Sequence, residues 1–189
     1  MSEPPKIATD YCELAPGHEW HGPYHDHEYG FPIDDDAGLF ERLILEINQA
    51  GLSWLTILKK RENFNNAYAG FDPARVAAFG EKDRARLLND AGIIRNRLKV
   101  DAAIHNANRV VEMIGHYGSF AGWLNAEHEG HDPNDLKSWI KLFKKNFRFT
   151  GPEIVREFLI STGYLKGAHR EDCPVHERII KARPPWLIR

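Results

Sequence analysis

The chain has 189 residues, 42% hydrophobic and 28% charged, which is enough apolar material for one folded unit with a sizeable core. A formal net charge of −2 excludes a uniformly basic coat, so any nucleic-acid contact must be concentrated in a local patch. Neither a run of about 18 apolar residues nor a basic-then-apolar leader occurs, which predicts a cytoplasmic, monomeric protein without a membrane span.

The first strong periodic signal covers residues 37–50, where Leu39, Phe40, Leu43, Ile44 and Ile47 recur at helical spacing behind the acids Asp34, Asp35 and Asp36. Gly51 closes it. Residues 52–66 resume with Leu55, Ile57 and Leu58 and a basic face at Lys59, Lys60 and Arg61, ending before Gly70. Asp72-Pro73 opens a short helix through Phe79, with proline at the first helical position, and residues 81–90 form another that stops at Gly92. A long helix over 96–117 carries Val100, Ala103, Ile104, Ala107, Val110, Val111 and Ile114 on one buried face. Residues 126–134, with Gly130 and Pro133, read as a surface loop. Two further helices, 136–145 and 152–162, precede Gly163 and an irregular tail with Pro174, Pro184 and Pro185. The predicted fold class is all-α.

Only two cysteines occur, Cys12 and Cys173, too few for a secreted disulfide framework. Cys12 and His25 lie near one end, His169 and Cys173 near the other, and together they supply two thiolates and two imidazoles, a set that suits tetrahedral zinc. Closed by four ligands, such a site is structural and ties the termini together. His18, His21, His27 and His176 are rival ligands, and an open zinc position would instead make a metallohydrolase.

Between Leu87 and Arg97 a glycine-containing turn joins two helices, a helix-hairpin-helix pattern over about 82–117. In that motif Ala91, Gly92, Ile93, Ile94, Arg95 and Asn96 present backbone N–H groups and a helix N-terminus to a DNA phosphate. An ordinary αα-corner fits the same string. Lys137, Lys141, Lys144, Lys145 and Arg148, with Trp139, Phe143, Phe147 and Phe149 between them, form either a second phosphate-facing strip or a solvated amphipathic face.

On a helical wheel Glu46 falls at the border of the apolar arc, half buried. Gln49, Ser53, Trp54 and the string Tyr24-His25-Asp26 are the nearest candidates to share a pocket with it. Stacking faces around one anion suit a flat cation; the alternative is a solvated rim glutamate beside a core tryptophan.

The strings Tyr24-His25-Asp26-His27-Glu28-Tyr29-Gly30, Leu45-Glu46, Gln49-Ala50-Gly51-Leu52-Ser53-Trp54, Leu58-Lys59-Lys60-Arg61 and Asp90-Ala91-Gly92-Ile93-Ile94-Arg95 resemble those of the 3-methyladenine DNA glycosylase I family, from about Tyr11 to Cys173. The resemblance implies an all-α helix-hairpin-helix glycosylase formed by residues 1–189. Its terminal segments, 11–30 and 164–189, would be held by one structural zinc on Cys12, His25, His169 and Cys173. It further implies Glu46 as the catalytic, base-reading acid, Trp54 as the stacking indole, Tyr24 as a pocket phenol and residues 91–96 as the DNA contact. The partner would be double-stranded DNA with alkylated bases, the damaged nucleotide being rotated out of the duplex. No catalytic aspartate is expected after the hairpin, and Glu153 reads as a helix-start acid.

Three positions depart from the family pattern. Leu14 stands two residues after Cys12 where a tryptophan is usual, leaving Trp20 as a substitute wall; Tyr29 also replaces a tryptophan; and Ile47-Asn48 replaces a glycine and its neighbour. A non-catalytic DNA-binding module that keeps hairpin and zinc, or a zinc metallohydrolase, are the rival functions.

Overall fold

Asp35 opens the helix around which the protein is built: its side chain accepts the Gly38 N–H at 2.7 Å, and Asp36 adds a second acid in the first turn. This helix, α3 (Asp36–Gln49), buries Leu39, Phe40 and every residue from Arg42 to Asn48. A helix buried on nearly all sides must be wrapped by others. In this computed structural model, which describes residues 10–130 and 135–188, α3 is packed by α4 (Trp54–Ala67), α7 (Arg97–Tyr117), α8 (Phe120–Gly130) and α10 (Pro152–Ser161). The remaining helices are α1 (Tyr11–Leu14), α2 (His21–His27), α5 (Pro73–Ala77), α6 (Glu81–Asn89), α9 (Leu136–Asn146) and α11 (Pro174–Lys181). All regular structure among the described residues is helical, and none of the helices is long and apolar enough to cross a membrane.

Caps explain the boundaries. Ser53 Oγ accepts the Thr56 N–H and starts α4, Asp72 starts α5 ahead of Pro73, and Asn96 Oδ1 accepts the N–H groups of Leu98 and Lys99 at the head of α7. Gly118, at φ +81°, ends α7 in the left-handed conformation that glycine adopts without steric cost.

Three expectations are corrected. Residues 126–130 are not loop but the last turns of α8; Trp123, Leu124 and His128 are buried at helical spacing, a pattern masked by the nearby Gly130 and Pro133. Residues 131–134 of the expected loop lie outside the described residues. The tail is not irregular throughout, because Pro174 occupies the first position of α11, where its missing N–H costs nothing, and Val175 and Ile179 bury one face. Val111 is 37% exposed and leaves the buried face of α7. Helices α1 and α2, too short to show a period, went unpredicted.

Candidate active site and metal centre

The last turn of α3 delivers Glu46 into a cavity of about 210 Å³. Tyr24 from α2, Trp54 from the start of α4, Tyr11 and Tyr29 from the N-terminal segment, Gln49 and, from α10, Glu157 complete its lining. The volume falls below the ~300–1,000 Å³ of pockets for drug-sized ligands and suits something smaller, such as one base. The aromatic rings form a continuous wall, Trp54 to Tyr24 at 5.1 Å between centroids, Tyr24 to Tyr29 at 5.7 Å and Tyr29 to Tyr11 at 5.2 Å. Through Glu46, Gln49 and Glu157 the cavity continues into a surface groove that passes Gly51, Leu52, Gly151 and Pro152.

Glu46 is more enclosed than the wheel implies, only 5% exposed. No described residue hydrogen-bonds its carboxyl. Burial pushes its pKa up to about 8, with Arg42 one turn earlier opposing the rise and Glu157 adding to it. Arg42 is itself buried, and its guanidinium donates to the Tyr24 hydroxyl and, at 3.2 Å, to Glu28. Arg61 holds Glu28 at 2.6 Å and grips Glu41 with two bonds of 2.9 and 3.0 Å. This network fixes the phenol oxygen of Tyr24 while leaving Glu46 without a partner of its own. Burial also raises the phenols of Tyr11, Tyr24 and Tyr29, so all three stay neutral. Trp54 Nε1 is buried without a hydrogen-bond partner.

The four expected metal ligands converge. Their donor atoms all lie within 4.8 Å of one another: Cys12 Sγ is 3.6 Å and Cys173 Sγ 3.5 Å from His169 Nδ1, and Cys173 Sγ is 3.8 Å from His25 Nε2. A tetrahedron with metal–ligand bonds of about 2.0–2.3 Å has edges of about 3.3–3.8 Å, which these three separations match, and all the donor atoms lie within 4.8 Å of one another, compatible with a metal site. The other ring nitrogens are occupied as ligating histidines require: His25 Nδ1 pairs with Asp26 at 2.7 Å, and His169 Nε2 faces the Tyr29 carbonyl at 2.9 Å. Burial, with the neighbouring Cys173, pushes the Cys12 thiol up to about 11, a cost that a cation between the sulfurs would reverse. The rival His21 instead bonds the Tyr11 hydroxyl at 2.9 Å, and His18 accepts the Trp20 N–H.

At the hairpin, Asp90 Oδ1 accepts the Gly92 N–H at 2.7 Å, Ile93 is buried under the turn, and Lys60 from α4 donates to the carbonyl oxygens of Ala91 and Gly92 at 2.9 and 3.2 Å. Ala91 and Arg95 face solvent, with Arg97 and Leu98 beyond them. Along α9, Lys137, Lys141, Lys144 and Lys145 are exposed while Trp139, Phe143 and Phe147 are buried in the core, which makes this an amphipathic helix; of the aromatics in that strip only Phe149 is exposed.

A family model described as methyladenine glycosylase matches residues 16–177. The chain belongs to the methyladenine glycosylase family. It is 53% identical over 158 residues to DNA-3-methyladenine glycosylase 1 of Escherichia coli K12, covering 75% of this chain and 84% of that protein. The DNA-3-methyladenine glycosylase of Haemophilus influenzae is 36% identical, over 80% and 89% of the two chains. Among solved structures, 3-methyladenine DNA glycosylase I from Staphylococcus aureus superposes with a TM-score of 0.78 at 33% identity, over 87% of this chain and 95% of that one. The departures from the family pattern bear unequally on the cavity. Leu14 is 52% exposed and Ile47 fully buried in the core, neither lining it, and Trp20 borders a different surface hollow beside Glu41 and Arg61. Tyr29 does line it. Tyr11 and Glu157 are the lining residues that sequence reasoning missed.

Proposed function

We propose that the protein is a DNA glycosylase that excises 3-methyladenine from double-stranded DNA as one domain, a monomer working in the cytoplasm. The observation that carries this reading is Glu46, a buried carboxyl without a hydrogen-bond partner, set in a base-sized cavity walled by an indole and three phenols. Relatives of similar length named for that activity support it.

Methylation at N3 places positive charge on the purine and weakens the glycosidic bond. With the nucleotide rotated into the cavity, Trp54 and Tyr24 stack against the base and Glu46 faces it. Water adds to C1′, the C1′–N9 bond breaks, and its electron pair neutralises the departing base; the proton of water passes to solvent. Burial favours the protonated form of Glu46, and a cationic base displaces that proton where neutral adenine does not. The difference favours the damaged base in a setting of low dielectric.

The turn at residues 91–96, in this reading a helix-hairpin-helix, meets a phosphate with Arg95 and the exposed first turn of α7. A single zinc ion on Cys12, His25, His169 and Cys173 is structural: four protein donors leave no position for a reacting water, which disfavours a metallohydrolase. Bound, it would hold the N-terminal segment that supplies Tyr11, Tyr24 and Tyr29 against α3.

The test is release of free base from duplex DNA treated with a simple methylating agent, followed by chromatography, with Glu46→Gln alongside. Release of 3-methyladenine that is lost in the variant is the expected result. Specific binding of the DNA without any released base would overturn the reading.

A further inference from the structure

Glu157 is a second carboxylate in the same cavity. It projects from α10, far in sequence from the other lining residues, with its side chain 32% exposed. The Tyr29 hydroxyl donates to Glu157 Oε2 at 3.3 Å, and Arg156 pairs with Oε1 at 2.6 Å, so both oxygens are held in place. The hydroxyl is what tyrosine brings to position 29, where the family pattern has an indole. Glu157 also lines the groove that leads out of the cavity, which places it at the junction between the two. Its charge reaches Glu46, whose carboxyl has no hydrogen bond of its own.

We infer that Glu157, positioned by Tyr29, is a second determinant of base specificity: it adds an anionic edge to the cavity and increases the preference for a cationic over a neutral purine. The inference rests on the glycosylase reading for its substrate, while the preference itself is a property of the cavity. A cation in the cavity is attracted by Glu157 directly and offsets the repulsion that Glu157 exerts on Glu46 as Glu46 ionises, whereas a neutral base gains neither. Glu157 is about a third exposed, so its contribution is smaller than that of Glu46.

The experiment is calorimetric titration of the full-length, metal-loaded protein with 3,9-dimethyladeninium, a permanently cationic mimic of the methylated nucleobase, and with neutral 9-methyladenine. The native protein should favour the cation. Glu157→Gln should reduce the ratio of the two affinities about fivefold, the greater part of the loss falling on the cation. Tyr29→Phe, which keeps the ring, should reduce the ratio less. An unchanged ratio in Glu157→Gln, or a native protein without cation preference, would overturn the inference. Base release from methylated DNA, measured on the same samples, separates the two readings. Release with an unchanged ratio removes only the role of Glu157; a ratio that falls, without any release, removes only the glycosylase.

Discussion

Lys99 Nζ lies 2.8 Å from the carbonyl oxygen of Ala50 and donates to that of Asn48 at 2.9 Å. The carbonyls at the end of a helix have no partners within it, and here the ammonium of one residue in the first turn of α7 satisfies two at the end of α3. The element proposed to meet the phosphate is thereby tied to the element that carries Glu46. Lys99→Met should lower stability by roughly 1–3 kcal/mol and reduce base release more than affinity for duplex DNA. Thermal melts, base release and DNA titration measure the three quantities, and an equal loss of affinity and release would contradict the link.

Glu46 makes a stability prediction with a definite sign. Its folded-state pKa of about 8 stands above the ordinary 4.5, so the native state holds the proton more tightly than the unfolded chain. The stability this confers is complete below pH 4.5 and is lost as pH rises through 8, a difference of several kcal/mol for so buried a group. Glutamine does not titrate. Glu46→Gln should therefore melt higher than the native protein at pH 9 and differ little from it at pH 5. Parallel melting curves across that range would show that Glu46 is not held protonated.

The same proton competes with substrate. In the native enzyme kcat/KM for 3-methyladenine release should climb as pH rises toward 8 and then level off, because ionised Glu46 receives the cationic base without first losing a proton. The residual rate of Glu46→Gln should lack that limb. A flat native profile from pH 6 to 9 would mean that Glu46 is already ionised in the free enzyme.

Removing a metal ligand should act chiefly on stability. Cys173→Ser should hold far less zinc, measured by atomic emission, and should melt well below the native protein. Base release per folded molecule at low temperature should fall less than the zinc content does. Acidification should release the ion, since each ligand must shed or refuse a proton to bind it. Full zinc content in Cys173→Ser would reject the ligand set.

Gly92 tests the hairpin. A Cβ there would stand 2.9 Å from Asp90 Oδ1 and 3.0 Å from Asn63 Cβ and Cγ, so Gly92→Ala must displace the carboxylate that accepts the Gly92 N–H. Affinity for methylated and unmethylated duplex should fall by the same factor, because a phosphate contact carries no information about the base. Unaltered affinity for both would return this turn to the status of a plain αα-corner.

How far the molecule was legible in its sequence follows from which interactions are local. The periodicity of Leu39, Leu43 and Ile47 announced α3, and the scarcity of cysteine made Cys12 and Cys173 conspicuous as ligands with His25 and His169. Glu46 was visible as a carboxylate against an apolar arc, though its full burial came from α10 and the N-terminal segment, which no wheel of α3 contains. Tyr11 and Glu157 were invisible for the same reason. One sits in a four-residue helix, the other at a polar position of α10, and only the packing of α10 on α3 brings Glu157 to Glu46. Proline misled at residue 174, where it starts a helix.

The metal cluster has a consequence in time. Cys12 and His25 leave the ribosome early, and His169 and Cys173, up to 161 positions further along the chain, follow much later. Until they emerge, the proposed metal ion cannot tie Tyr11 and Tyr29 to the rest of the fold, whereas Tyr24 already has its partner in Arg42. On the proposed reading, the phenolic wall beside Glu46 and Trp54 is thus completed late, after the acid and the indole have been made.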